Sequence, residues 1–100
     1  MFATAYVYTI PENLREVAPT LVSCWKGKGL IDACKAYNGK IFAANQYLDR
    51  IDVFTLSAEG RLSLSRSING MGMPHGLDLR NNKLAVTNYG DQTLRILELE

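Results

Sequence analysis

The chain repeats itself at a spacing of 43 residues, and that period constrains its fold more than any other feature. Asn38-Gly39-Lys40-Ile41-Phe42-Ala43-Ala44-Asn45 aligns with Asn81-Asn82-Lys83-Leu84-Ala85-Val86-Thr87-Asn88. Asn, Lys and Asn recur unchanged, and Ile becomes Leu. Going forward, Ile51, Val53 and Leu56 fall over Leu94, Ile96 and Leu99; going back, Leu21, Trp25, Gly27 and Gly29 fall over Leu64, Ile68, Gly70 and Gly72. A fixed period in this range means one supersecondary unit copied in tandem. Such a unit cannot bury its apolar surface alone and needs a neighbour of the same kind.

Within each copy the signals are those of strands. Segments 40–45, 50–56, 62–68, 76–79, 83–88 and 93–99 are short, rich in Ile, Val, Leu, Thr, Phe and Tyr, and separated by polar turns. Asn38-Gly39 and Asn81-Asn82 are hairpin residues that accept a positive φ, and Gly60 and Gly90 mark two further turns. Segment 31–36 completes a four-strand unit with 40–45, 50–56 and 62–68; 76–79, 83–88 and 93–99 form three strands of the next. An earlier unit contributes two: Tyr6–Ile10 resembles Asp52–Leu56 at an offset of 46, and Leu21–Trp25 resembles Leu64–Ile68 at 43. The longer loop between them, Pro11 to Pro19, has room for one helical turn over Pro11–Val17.

Both faces of these strands are apolar. Ile51 and Val53 point one way and Phe54 and Leu56 the other; Leu94 and Ile96 oppose Leu97 and Leu99. A half-solvated sheet would alternate apolar with polar residues. Sheets covered on both sides are what stacked propeller blades require. The expected fold is therefore all-β: a partial β-propeller of about two four-stranded antiparallel blades plus part of a third. Residues 1–29 end one blade, 30–72 make the second and 73–100 an incomplete third. This strand inventory does not close head to tail without displacing residues 5–10, so it fits a piece of a longer propeller. The partners it implies are further blades, of the same chain or of other copies.

Composition excludes several classes. A net charge of +1, with no Lys or Arg cluster, gives no face for nucleic acid. Apolar runs are too short for a membrane helix, and no basic region precedes the first apolar residues as in a secretory signal, so a cytoplasmic location is expected. Two cysteines, Cys24 and Cys34, have no metal-ligand spacing, and no metal or other cofactor is expected. Falling where Ser67 and Leu77 sit one repeat later, they read as small core-filling thiols.

Asn45-Gln46-Tyr47-Leu48-Asp49-Arg50-Ile51-Asp52-Val53-Phe54-Thr55-Leu56-Ser57-Ala58-Glu59-Gly60-Arg61-Leu62 resembles the repeats of the lactonase-like propellers, the 6-phosphogluconolactonase-type and YVTN-repeat families. Ala85-Val86-Thr87-Asn88-Tyr89-Gly90-Asp91-Gln92-Thr93-Leu94-Arg95-Ile96-Leu97 resembles the same motif, and Pro74-His75-Gly76-Leu77-Asp78-Leu79 is similar to the segment opening the inner strand of such repeats. Much of this pattern is shared with NHL-type and gluconolactonase-like propellers. The resemblance implies a ring of about seven blades, against little more than two here. It also implies either a sugar-lactone hydrolase or a ligand- or protein-binding scaffold, since one fold hosts both.

His75 is the only histidine, and Asp32 is its equivalent one repeat earlier. In adjacent blades the two are neighbours, which suits a carboxylate-oriented imidazole taking a proton from water. Arg50 or Asn88 would then supply the donor to an oxyanion. Alternatively, each caps the turn before its strand. Asn45 and Asn88 end the second strand of each copy, where an amide either lines a polar ligand site or bonds to nearby backbone. Tyr47 and Tyr89 lie in the following loops, as exposed aromatics for a sugar or protein partner or packed over their own loops; Trp25 and Tyr37 extend that choice. Gly27-x-Gly29 and Gly70-x-Gly72 open no helix and precede no Lys-Ser/Thr, so phosphate-loop readings fail and the glycines serve the passage between sheets. Met71 and Met73 flank the second passage as core filler or an adaptable surface. The two functional classes left are a binding module and a lactone hydrolase working through His75 and Asp32.

Overall fold

The computed structural model describes residues 1–13 and 15–99. Among these it is all-β, with nine strands and no helix. They are β1 (Phe2–Thr9), β2 (Thr20–Lys28), β3 (Ile31–Tyr37), β4 (Lys40–Asn45), β5 (Arg50–Leu56), β6 (Leu62–Asn69), β7 (Pro74–Arg80), β8 (Lys83–Asn88) and β9 (Thr93–Glu98). They form three antiparallel meanders in chain order: β1-β2, then β3-β4-β5-β6, then β7-β8-β9. Among the described residues the sheets do not close on one another. The expected helical turn at Pro11–Val17 contains Leu14, which lies outside the described residues; beside it, the Asn13 carbonyl accepts from the amides of Glu16 (3.3 Å) and Val17 (3.0 Å). Among the described residues no helix is long and apolar enough to cross a membrane.

The turns explain the registers. Asn38 (φ 49°) and Gly39 (φ 73°) join Tyr37 to Lys40 in two residues, and Asn81 (φ 51°) and Asn82 (φ 61°) join Arg80 to Lys83. Two consecutive positive φ values match the twist of the flanking strands and fix pairing from the loop outward. Side-chain alternation then divides each sheet between two cores. Phe42, Ala44, Ile51 and Val53 of the middle sheet meet Leu77, Leu84 and Val86 of the third. Its other face, with Ala43, Phe54 and Leu62, meets Ala5, Val7 and Trp25 of the first. The Trp25 ring meets Phe54 edge-on, centroids 4.8 Å apart. The middle sheet is thus covered on both sides, as its apolar pattern demands.

The outer sheets are covered on one side only. Leu94 and Ile96 are 65% and 58% exposed, whereas Ile51 and Val53, their equivalents, are 0% and 1% exposed. On the opposite end of the stack, Phe2, Tyr6 and Tyr8 project into solvent from β1.

The first sheet covers only part of the middle one, and this corrects one expectation. Cys24 and Cys34 are exposed, not core-filling. Cys34 faces a cleft of about 480 Å³ beside β1, where Ile31, Ile41 and Ala43 also lie. Its equivalent Leu77 is buried because the middle sheet supplies inner strands β3 and β4 against it. The β1-β2 pair has no such strands to set against Cys34.

Candidate functional site

Asp32 and His75 are brought together. Each sits in the first strand of its sheet, at the same irregularity: pairing shifts between Ile31 and Ala33 in β3 and between Pro74 and Gly76 in β7. A bulge leaves one residue outside the ladder and re-aims its side chain. Here both re-aimed residues point across the gap between sheets, and His75 Nδ1 is hydrogen-bonded to Asp32 Oδ2. The pair is accessible, with side-chain exposures of 61% for His75 and 29% for Asp32. A carboxylate on Nδ1 holds that nitrogen as the donor, which leaves Nε2 of the neutral ring with a lone pair.

Beside His75 is an open cleft of about 270 Å³ lined by His75, Thr87, Asn88, Tyr89, Gln92 and Thr93. The Tyr89 ring stands 6.3 Å from the imidazole, tilted at 47°, and is largely exposed. The Thr87 hydroxyl accepts from the Gly76 amide at 2.8 Å, tying the cleft wall to the bulge. Thr93 donates to Asp91 Oδ1 at 2.5 Å. Gln92 adopts φ 57°, as Asp49 does (φ 54°) one repeat earlier. The cleft residues thus hang on the ends of β7 and β8 and the short loop into β9.

The structure therefore gathers His75, Asp32, Asn88 and Tyr89, and leaves Asn45, Arg50 and Tyr47 in the preceding sheet. Asn45 is fully buried, with its amide used within the chain. Its Oδ1 accepts from the amides of Leu30 (3.2 Å) and Leu48 (3.3 Å), and its Nδ2 donates to Lys28 O (3.1 Å) and Asp52 Oδ2 (2.9 Å). Arg50 Nε lies 2.7 Å from Asp52 Oδ1 as an ion pair, although its N–H is not aligned for a hydrogen bond. Tyr47 is exposed. Asn88 is buried, with Oδ1 accepting from the Gly72 amide at 3.1 Å and Nδ2 without a partner.

Asp52 is the residue that sequence reasoning passed over. It is fully buried, accepts from Asn45 Nδ2 and from Ser67 Oγ (2.8 Å), and forms the ion pair with Arg50. The signal was present: one acid inside Ile51-Asp52-Val53-Phe54, a run otherwise apolar, needs partners once buried. Thr87, Gln92 and Thr93 gave no such signal, because polar loop residues are common. The sequence matches no protein-family model, and comparison with the curated proteins and with the solved structures yields no match.

Proposed function

We propose that this chain is a propeller-type binding module: its sheets stack as blades with further sheets, and the cleft beside His75 takes a small, hydroxyl-rich ligand of the sugar or sugar-lactone kind. The exposure of Leu94 and Ile96, set against the burial of their equivalents Ile51 and Val53, carries the stacking half of this reading. Adjacent exposed apolar side chains on an otherwise packed sheet suit an interaction surface. The resemblance to lactonase-like repeats and the period of 43 residues support the same architecture. The ligand half rests on the residues lining the cleft: an imidazole, two threonines, two amides and an aromatic ring around about 270 Å³ suit hydroxyl groups and one sugar face.

A titration of the 15N-labelled chain with glucono-δ-lactone and with gluconate tests the ligand. Saturable shifts confined to residues 75–76 and 87–93, abolished by Tyr89→Ala together with Gln92→Ala, are expected. Shifts scattered over the surface, or none, would refute the ligand. Sedimentation tests the stacking: association that is reduced by Leu94→Lys with Ile96→Lys is expected, and an indifferent monomer would count against it.

A second reading is favoured by one observation, the Asp32–His75 hydrogen bond. That bond equips Nε2 to draw a proton from a water attacking a lactone carbonyl, the chemistry of a hydrolase. Lactone opening above the buffer rate, lost in His75→Ala and lowered in Asp32→Asn, would establish this over simple binding.

A further inference from the structure

The residue pairs that follow the two bulges are not alike. After Asp32 the ladder resumes with Ala33 against Ala44, and after His75 it resumes with Gly76 against Thr87. Ala44 is fully buried in the core, whereas Thr87 is exposed at the cleft. The Thr87 hydroxyl is engaged twice by one residue: it accepts from the Gly76 amide at 2.8 Å and donates to the Gly76 carbonyl at 3.3 Å. A Cβ on residue 76 would come within 2.9 Å of that hydroxyl, so the close approach needs a glycine. On the other side of His75, Pro74 is fully buried, and its ring fixes its own φ. The main chain of His75 is therefore held on both sides while its ring stays accessible.

We propose that Thr87 is a positioning residue for His75: through Gly76 it fixes the main chain of the bulge, so that Nδ1 stays on the Asp32 carboxylate and Nε2 keeps its lone pair. Nδ1 is the ring nitrogen nearest the main chain, so its direction follows the backbone of residue 75 closely. Its only carboxylate partner here, Asp32, sits on another sheet. A small rotation of the bulge would turn the N–H off that oxygen, and a hydrogen bond weakens steeply as alignment is lost. The bond made by one ring nitrogen decides which of the two carries the proton. A neutral histidine ring without a partner at Nδ1 favours the proton on Nε2, and the lone pair there is lost. That lone pair is what a ligand hydroxyl would donate to, and what would draw a proton from water. The inference thus rests on the His75 site of the proposed function and deepens it. Gly76 and Thr87 act as one unit, because the hydroxyl reaches both main-chain groups of residue 76 only where no Cβ intervenes.

Nitrogen NMR of the imidazole in the 15N-labelled, ligand-free chain reads the tautomer of the single histidine, in mildly alkaline buffer where an ordinary imidazole is neutral. The native chain is expected to show Nδ1 as N–H and Nε2 as a lone-pair nitrogen. Asp32→Ala gives the ratio of a ring without its partner. Thr87→Val keeps the side-chain shape and removes the hydroxyl; it should lower the ratio of Nδ1–H to Nε2–H at least ~3-fold, a change within the net worth of one hydrogen bond. Thr87→Ser should keep the native ratio. Gly76→Ala with Thr87→Ala installs the pair that already follows the bulge at Asp32, so a folded chain with the same lowered ratio is expected; backbone amide spectra check the fold. If Asp32→Ala lowers the ratio but Thr87→Val does not, or if Thr87→Ser fails to restore it, the positioning role is overturned and the Asp32–His75 bond stands. A ratio unmoved by Asp32→Ala would overturn that bond, and with it both this inference and the hydrolase reading. Unfolding of both hydroxyl-free chains would show that Thr87 serves the fold alone and would likewise overturn the proposal. A chain that passes these tests yet binds no lactone would refute the ligand and not the positioning.

Discussion

Substituting the same asparagine in the two copies should give very different losses of stability. Asn45→Ala removes four hydrogen bonds from a fully buried site. The bond to the Asp52 carboxylate is charge-assisted and contributes about 2 kcal/mol, the bond to Lys28 O about 1 kcal/mol, and the two longer bonds accepted by Oδ1 about 0.5 kcal/mol each. The expected loss is about 4 kcal/mol, a large share of what holds so small a domain. Asn88→Ala removes one bond, from the Gly72 amide, and also deletes a buried donor that had no partner. Its expected cost is about 1 kcal/mol. Urea unfolding followed by circular dichroism and by the single tryptophan reads both, with the denaturant slopes compared to show that the unfolded states match. The pair gap of about 3 kcal/mol is the diagnostic, since helix or strand propensity is common to both sites and cancels. Equal losses, or the larger loss at Asn88, would refute the assignment of the Asn45–Asp52 network as what fastens the middle sheet to the strand before it.

Three further substitutions test the packing. Gly29 has φ +121°, and a Cβ there would fall inside the Asn45 amide, so Gly29→Ala is expected to cost about 3 kcal/mol by combining backbone strain with disruption of that network. Gly39 has φ +73° but nothing near its Cβ position, so Gly39→Ala should cost only about 1 kcal/mol by the same urea assay. Phe54→Ala opens a cavity under Trp25 and should cost about 3–5 kcal/mol, with tryptophan emission shifting to longer wavelength in the native state; an unshifted spectrum would mean that the two rings are not in contact.

Strand positions were legible because they rest on local pattern. The segments 40–45, 50–56 and 83–88 coincide with β4, β5 and β8, since turns rich in Asn, Asp, Gly and Ser bound them and apolar residues fill both faces. The ends of the chain were harder. β1 starts at Phe2, four residues before the segment that reads as a strand, because Phe2-Ala3-Thr4-Ala5 has little β-branched content and is held by pairing with β2 up to Lys28. The cysteines were misplaced for a different reason. Their equivalents Leu77 and Ser67 belong to sheets with neighbours, and burial at Cys34 depends on a neighbour that β1-β2 only partly provides. The bulges that turn Asp32 and His75 toward each other left no mark in composition; only the repeat spacing placed the two residues at equivalent positions.

The comparison of the copies separates scaffold from site. Features kept in both copies serve the scaffold: the positive-φ hairpins at 38–39 and 81–82 turn the chain alike, and the Oδ1 atoms of Asn45 and Asn88 each accept from a backbone amide in the passage before their sheet. Chemistry enters where the copies diverge: Asp32 against His75, Asp52 against Arg95, Asp49 against Gln92. Asp49 shows how a divergence is used. Its carbonyl accepts from the Met71 amide at 2.9 Å and its carboxylate from the Met73 amide at 2.9 Å, so it pins the passage into β7. Gln92, in the same backbone conformation, makes no such bonds among the described residues and lines the cleft beside His75. Gln92→Asp therefore places the residue of the earlier copy at a position whose described neighbours it does not pin. It should leave the urea midpoint unchanged while weakening any ligand of the His75 cleft at least ~3-fold through the loss of an amide donor, about 0.7 kcal/mol. Unaltered binding with lowered stability would show that position 92 serves the fold in both copies, and the division between scaffold and site would fail at its clearest case.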